Sequence, residues 1–403
     1  MRYKRLLINT LAVVLGACIA FSLYATLHTD FALTRGNIVS SQDYHAPVVS
    51  KKHVANLKIV KVLKDIKASE KIAQNVITKE KADALGLTAL GDQPEFMFRR
   101  NSNFTKSTCS SSLQRKLSIL EWTKDIYHPE IMQVMNRDVL NMSEYERLLP
   151  YWMPFGYKYH EEFKYEESIE VYNDLKEITN LFGSRDTLLG LPEGKDCVSC
   201  AVVGNGGVMF KSGKGKEINS HDLVFRVNNA LRKGYETDVG TKTTHYVLMD
   251  RSLIRMPKNE VPRDKGIKYL FLPCRLKDYY YIRDVVTAAN PKQKLTADPS
   301  DVRVFHPDFI RYIQKVWMIT KSFRPSTGAV MFFAALHGGC DQISVYGMGF
   351  NAQYTEHYYD KEYKKYTNFK GSHDFQREIN ILKNLHSEGV INWYTRDIEE
   401  FQR

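Results

Sequence analysis

The second half of the chain alternates short apolar runs with longer stretches whose apolar residues recur at helical spacing. Apolar runs of about four to eight residues are typical of buried strands, and a period of about 3.6 residues is typical of helices. The pattern predicts helices over residues 327–337 and 375–388, and strands over residues 198–203, 223–227, 244–249, 268–272, 343–346 and 391–394. Residues 277–303 have a mixed pattern that predicts no element.

Alternating strands and helices predict an α/β fold with a single, mostly parallel, Rossmann-like sheet flanked by helices. Gly204, Gly206 and Gly207 follow the first predicted strand, and glycines let a backbone turn sharply and approach a ligand closely. Asn205 and Asn228 lie just past two strand ends, where open α/β sheets bind nucleotides. We therefore expect a nucleotide site at this edge of the sheet.

The glycine-rich turn fits neither of two common nucleotide motifs. A dinucleotide fingerprint requires a third glycine where the chain has Met209, which argues against a nucleotide-dependent oxidoreductase. A P-loop requires Ser or Thr after Gly213-Lys214, but Gly215 follows. Taken alone, the turn is also compatible with a simple structural bend.

An uncharged stretch, residues 6–27, follows three basic residues within residues 1–5. Its length of about 20 residues is enough to cross a bilayer as a helix, and the positive-inside rule then leaves the N-terminus in the cytosol. A cleaved signal peptide is the alternative, but the stretch is long for one and ends in no small-residue cleavage site. We expect a cytoplasmic tail at 1–5 and a transmembrane signal anchor at 6–27.

Residues 28–108 are rich in lysine and typical of a lumenal stem, which places the folded domain at residues 109–403. Some apolar residues of the stem have helical spacing, which leaves a dimerising coiled coil open beside a solvated spacer. Asn103 and Asn141 each begin an N-glycosylation sequon, which is used only in the lumen.

The charge distribution argues against nucleic acid as a partner. The chain has 57 Lys and Arg against 46 Asp and Glu, a formal charge of +11. Residues 1–5 hold three of these charges and residues 28–108 an excess of five, so residues 109–403 keep an excess of only three. A nucleic-acid-binding protein would concentrate positive charge on its folded domain.

Six cysteines fit an oxidising compartment. Cys18 lies within the apolar stretch, and the other five are an odd number, so at least one is unpaired or pairs between chains. A zinc site at Cys197-x-x-Cys200 would require a second pair of ligands at similar spacing, which the sequence lacks.

Four ordered motifs between Cys197 and Glu378 resemble the sialylmotifs of eukaryotic sialyltransferases. Residues 197–243 resemble the large motif and residues 325–347 the small one. His357-Tyr-Tyr-Asp360 resembles the third motif, and His373-x-x-x-x-Glu378 resembles the very small one. Within that family the chain resembles the α-N-acetylgalactosaminide α2,6-sialyltransferases, through residues 197–207, 306–310, 335–341 and 385–391.

The resemblance implies a GT-A-like variant of the Rossmann-like fold, in a single-pass type II protein of the Golgi membrane with a lumenal catalytic domain. It implies inverting, metal-independent transfer of sialic acid from CMP-sialic acid to O6 of GalNAc in mucin-type O-glycans of glycoproteins. The chain has no Asp-x-Asp triplet, and hydrogen bonds can stabilise CMP as a leaving monophosphate. Alternatives are a galactose-terminated glycan or glycolipid acceptor, and an inactive lumenal glycan-binding relative.

The motifs also imply roles for individual residues. His373 is the candidate general base, because an imidazole titrates near the working pH and the matching histidine is the family's base. By the same resemblance His357 binds the CMP phosphate, and Asn205 and Asn228 contact the phosphate and ribose. A predicted helix begins at residues 326–328, where free N–H groups favour an anion. The implied donor-binding set is completed by Gly204, Gly206, Ser326, Thr327, Gly328 and Gly347.

The resemblance implies two disulfides, Cys200 with Cys340 and Cys109 with Cys197, which leaves Cys274 free. The first of them would join the large and small motifs and hold the two halves of the donor site together.

Overall fold

The structure, a computed structural model, describes residues 79–396 apart from residues 162–164, 184–186, 193, 254–255, 350, 352 and 363–371. The expected membrane anchor and most of the expected stem lie outside these residues. Within the described part of the chain, no helix is both long and apolar enough to cross a membrane.

An eight-stranded sheet forms the centre of the described residues, and a two-stranded antiparallel sheet stands apart from it. The small sheet contains β1 (Leu87–Ala89) and β2 (Met97–Arg99). The large sheet contains β3 (Val134–Met135), β4 (Ser199–Val203), β5 (Leu223–Val227), β6 (His245–Leu248), β7 (Lys268–Phe271), β8 (Val302–Phe305), β9 (Gln342–Tyr346) and β10 (Asn392–Trp393).

The strands of the large sheet lie in the order β10-β9-β4-β5-β6-β7-β8-β3. All neighbouring strands are parallel except β3, which is antiparallel to β8. The central strands are apolar on both faces because helices cover both faces of a parallel sheet. The expected α/β fold is thus confirmed, and each predicted strand lies within one residue of its expected ends.

Ten α-helices surround the sheet in the described part of the chain: α1 (Lys79–Ala84), α2 (Leu113–Ile119), α3 (Met142–Leu148), α4 (Tyr165–Leu181), α5 (Gly215–Ser220), α6 (Glu236–Val239), α7 (Leu276–Thr287), α8 (Pro307–Tyr312), α9 (Thr327–His337) and α10 (Phe375–Ser387). Helix α9 is almost wholly buried and contacts β4, β5 and β6. Helix α10 buries only one face, through Ile381, Leu382 and Leu385. The stretch without a predicted element contains most of α7 and the start of β8.

The folded part of the chain extends N-terminal to Cys109, where we expected it to begin. Residues 79–108, assigned to the stem from the sequence, contain α1, β1 and β2. Phe98 in β2 is completely buried, and its ring meets that of Tyr312 edge to face at 5.5 Å between centroids. An apolar side chain buried in this way belongs to the core of the domain.

A buried ion cluster joins β2, α3 and α8. Asp308 accepts hydrogen bonds from the backbone N–H of Arg99 and from Arg147, each at 2.6 Å, and pairs with Arg311 at 2.6 Å. Burial acts to raise the pKa of Glu144, but Arg147 and His306 hold that pKa below its ordinary value. Because the guanidinium groups of Arg99, Arg147 and Arg311 pair with these carboxylates, the cluster serves the fold and is a poor metal site.

Two disulfides join Cys109 to Cys197 and Cys200 to Cys340, which are the pairs implied by the resemblance. Cys200 lies in β4, and Cys340 lies between α9 and β9, so the second disulfide ties two neighbouring parallel strands together. Among the described cysteines, Cys274 is free and buried.

Replacing both Cys200 and Cys340 by alanine should lower the free energy of unfolding by about 5 kcal/mol, because the bridge closes a long loop in the unfolded chain. Chemical denaturation of the full chain under non-reducing conditions measures the loss. The control is Cys274→Ala, which removes a buried sulfur without opening a loop. A loss no larger than the control's would contradict the stabilising role of the bridge.

Candidate active site

A cleft opens at the carboxyl ends of β4, β5 and β9. From β4 the chain builds the sheet outward to β8 and then returns to β9 on the other side of β4, so the strand order reverses here. Ligands of open α/β sheets bind at such a switch point. Two adjoining cavities, of about 260 and 780 Å³, share the lining residues Asn205, Asn228, Thr327, Glu356, His357 and His373.

The smaller cavity brings together every residue expected to bind the donor or take part in catalysis. Its lining includes Gly204, Asn205, Gly206, Asn228, Ser326, Thr327, Gly328, Gly347, His357 and His373. These residues come from six separate segments of the chain, which the sheet and the start of α9 bring together.

The glycines after β4 line the smaller cavity and also make room for the backbone of the turn after β9. The N–H of Gly204 donates to the Tyr346 carbonyl and that of Gly206 to the Gly347 carbonyl, both at 2.8 Å. A Cβ at Gly204 would lie 2.4 Å from the Gly347 oxygen, and one at Gly206 would lie 2.8 Å from it. Gly347 has a positive φ of 59°, whereas Gly204 and Gly206 do not have a positive φ.

Backbone and side-chain partners fix the two asparagine amides at the strand ends. The Nδ2 of Asn205 donates to the Val227 carbonyl at 3.1 Å. The Oδ1 of Asn228 accepts from the Ser252 hydroxyl at 2.8 Å, which leaves its Nδ2 as a donor for the cleft. Ser252, which in turn accepts from the Met249 N–H at 3.0 Å, was missed in the sequence because its loop matches no motif.

His373 has the tautomer that a general base requires. Its Nδ1 lies 3.0 Å from the carbonyl oxygen of Arg324. Since a carbonyl can only accept, Nδ1 carries the hydrogen and Nε2 of the neutral ring has a free lone pair. Burial lowers the pKa of His373 below the ordinary value for histidine, so the neutral ring predominates near neutral pH.

His357 is oriented in the same way, by a carboxylate. Its Nδ1 lies 3.0 Å from the Oδ2 of Asp360, which also accepts the backbone N–H of His357 at 2.9 Å. The imidazole stacks on the ring of Tyr359, with 5.0 Å between centroids. Tyr358 is buried instead and donates to the Leu231 carbonyl. The two tyrosines of the motif thus separate into one that lines the cleft and one that packs.

Helix α9 begins in the cleft, with Ser326 as its N-cap. The Ser326 hydroxyl accepts from the Ala329 N–H at 3.0 Å and donates to Glu378 at 2.7 Å. Glu378 also accepts the Ser326 N–H at 2.9 Å. Burial raises the pKa of Glu378 to about 7, although both hydrogen bonds act to lower it. A carboxyl that is partly neutral near pH 7 weakens the local positive potential of the helix terminus less than an ionised one would.

A family model described as glycosyltransferase family 29 (sialyltransferase) matches residues 134–390, a range that contains the whole cleft. The chain belongs to this family of sialyltransferases.

Two relatives of this chain are also named as sialyltransferases. The chain is 33% identical to the α-N-acetylgalactosaminide α-2,6-sialyltransferase 1 of Gallus gallus, over 73% of this chain and 56% of the relative. It is 30% identical to the Homo sapiens protein of that name, over 79% of this chain and 58% of the relative. The chain therefore spans less than two thirds of the length of either relative.

The crystal structure of a mammalian sialyltransferase has the same fold. It superposes with a TM-score of 0.58 at 22% sequence identity, covering 73% of this chain and 100% of that one.

The pH dependence of stability should report the raised pKa of Glu378. The folded state holds this proton more tightly than the unfolded state, whose carboxyl has the ordinary pKa of 4.5. The contribution of Glu378 to stability is therefore fully present below pH 4.5 and is lost as the pH rises through about 7. Glu378→Gln should remove this fall in the free energy of unfolding between pH 5 and about pH 7.5.

Urea denaturation of wild type and Glu378→Gln across this range measures the difference. Glu388→Gln, at the exposed end of α10, is the control. If the free energy of unfolding changed with pH in the same way in wild type and Glu378→Gln, the raised pKa of Glu378 would be contradicted.

Proposed function

We propose that this chain transfers sialic acid from CMP-sialic acid to O6 of GalNAc in mucin-type O-glycans, with inversion at the anomeric carbon and without a metal. The observation that supports it is one cleft in which the Nδ1 of each of two histidines is bound to an oxygen atom of the protein. Both rings therefore have Nε2 available for a substrate.

The two histidines have different roles in this reaction. The Nε2 of His373 takes the proton of the acceptor hydroxyl as its oxygen bonds to the anomeric carbon. His357 hydrogen-bonds the phosphate of CMP as the bond from that carbon to the phosphate oxygen breaks. Asp360 fixes the ring of His357 through Nδ1, so that a hydrogen on Nε2 is donated to the departing phosphate.

The remaining donor contacts come from the strand ends and from α9. The Nδ2 of Asn228 is aligned by Ser252 and serves the phosphate or ribose, together with Asn205. The N–H groups of Thr327 and Gly328, in the first turn of α9, favour the anionic parts of the donor. With hydrogen bonds and imidazole on the phosphate, the departure of CMP needs no cation.

The choice of GalNAc as acceptor is supported by the motifs and by the names of the two relatives, which both denote α-N-acetylgalactosaminide α-2,6-sialyltransferases. O-glycosylated glycoproteins are the partners that follow. We propose the Golgi membrane as the location, with an N-terminal anchor at 6–27 and a stem that dimerises or acts as a spacer.

N-glycosylation at both sequons agrees with a lumenal location. Asn103 and Asn141 are exposed and border the same surface cavity. Asn141 caps α3 through its Oδ1, which accepts the Glu144 N–H at 2.9 Å and leaves Nδ2 for a glycan.

The acceptor assignment is tested with the purified full chain and labelled CMP-sialic acid. A GalNAc-Ser/Thr mucin peptide and a lactose-type acceptor compete in one reaction, and the linkage on the product is determined. We expect label on O6 of GalNAc. Label only on galactose would overturn the acceptor, and label on neither would favour an inactive glycan-binding relative.

His373→Ala should lower kcat by about 100- to 10,000-fold, the range for loss of a general base. Binding of CMP should be unchanged, because CMP carries no acceptor hydroxyl. The control is His386→Ala, near the exposed end of α10 and outside the cleft. Turnover equal to wild type would remove His373 as the base, and a matching loss of CMP affinity would give it a donor-binding role instead.

A further inference from the structure

Arg324 is a buried cation at the cleft that forms no ion pair with any carboxylate of the described chain. Only 9% of the residue is exposed, and it lines the larger cavity next to Thr327 and His373. Its guanidinium donates to the Pro325 carbonyl at 2.9 Å and to the Met249 sulfur at 3.5 Å. No carboxylate of a described residue lies within ion-pair distance of it.

Neutral acceptors of this kind compensate a buried charge poorly. Charged side chains are almost never fully buried unless paired, because an unpaired charge loses hydration without a Coulombic return. A thioether sulfur is a weak acceptor, and a guanidinium has five N–H donors. An anionic ligand in the larger cavity would complete this environment.

The carboxylates that share the cleft have other partners. Asp360 is bonded to His357, and Glu378 receives both the N–H and the hydroxyl of Ser326. Glu356 lines both cavities but is exposed and forms no ion pair with Arg324. Arg324 attracts Glu378 only over a longer distance, so its guanidinium is available to pair directly with a ligand.

The position of Arg324 ties it to the reaction centre. Its carbonyl accepts the Nδ1 hydrogen of His373 at 3.0 Å, and its N–H donates to the Ser372 carbonyl at 3.1 Å. Two residues further on, Ser326 caps α9. The guanidinium thus belongs to the segment that connects the base to the helix terminus.

Resting on the proposed function, we propose that Arg324 binds the carboxylate of the sialic acid on the donor. The anomeric carbon of this sugar carries both the carboxylate and the oxygen bonded to phosphate. The carboxylate must therefore lie beside the base and the phosphate site together. The planar fork of a guanidinium matches a carboxylate in a bidentate pair, which also fixes the face of the anomeric carbon that the acceptor attacks.

The test compares two ligands that differ by the anionic sugar, CMP and a non-transferable 3-fluoro analogue of CMP-sialic acid. Arg324→Met in the full chain should lower the affinity for the analogue by roughly 10- to 100-fold, the loss expected for a hydrogen-bonded charge pair. CMP affinity should not change. Arg324→Lys, which keeps the charge without the fork, should give an intermediate loss. Arg115→Met, on the exposed side of α2, is the control.

A change on the ligand side keeps the proposal testable even if a variant folds poorly. The methyl ester of the same analogue should bind wild type as weakly as the free acid binds Arg324→Met. Equal affinities of ester and acid for wild type would overturn the proposal. The melting temperature of Arg324→Met should match or exceed that of wild type, since an unpaired buried charge is removed.

The other outcomes are also decisive. Equal losses for CMP and the analogue would assign Arg324 to the phosphate or to the fold, and would overturn the proposal. An effect confined to the KM of an acidic acceptor would place the bound anion on the acceptor and overturn the donor assignment. If wild type neither binds nor transfers from CMP-sialic acid, the proposed function itself fails.

Discussion

The site depends on the close contact between the turns that follow β4 and β9. These strands are distant in sequence but adjacent in the sheet. Backbone hydrogen bonds donated by Gly204 and Gly206 join the turns that follow them. Any side chain at Gly204 would push the turn after β9 away, because its Cβ would overlap the Gly347 carbonyl. The disulfide of Cys200 holds the other end of the same strand pair. One strand pair, fixed at both ends, therefore sets the position of the cleft.

The chemistry of the cleft depends on the groups that hydrogen-bond the Nδ1 atom of each imidazole. A carbonyl binds the Nδ1 of His373 and a carboxylate binds the Nδ1 of His357, so in both rings Nε2 remains available to a substrate. The carbonyl belongs to Arg324, and the segment that follows caps α9 through Ser326. Base, helix terminus and cation are therefore mechanically connected, and a shift of this segment would move all three together.

Much of this architecture is predictable from the local sequence, and the elements that were not predicted were missed for physical reasons. The buried strands were predictable because parallel strands are apolar on both faces. Helix α7 was missed because Tyr279 is buried whereas its neighbours are mixed in polarity, so no clear period emerges. The burial of Phe98 was unpredictable because its partner Tyr312 is far away in the chain. Motifs identified the cleft residues, but Ser252 and the free charge of Arg324 become visible only through their three-dimensional partners.

The burial of Cys274 has a consequence for the durability of the disulfides. A thiol and two disulfides in one domain can exchange, because a thiolate attacks a disulfide sulfur and passes the bond on. Burial raises the pKa of Cys274 to about 11, so almost none of it is thiolate at neutral pH. The internal nucleophile that could shuffle the pairings is thus kept protonated and out of reach, and the connectivity established during folding is protected kinetically.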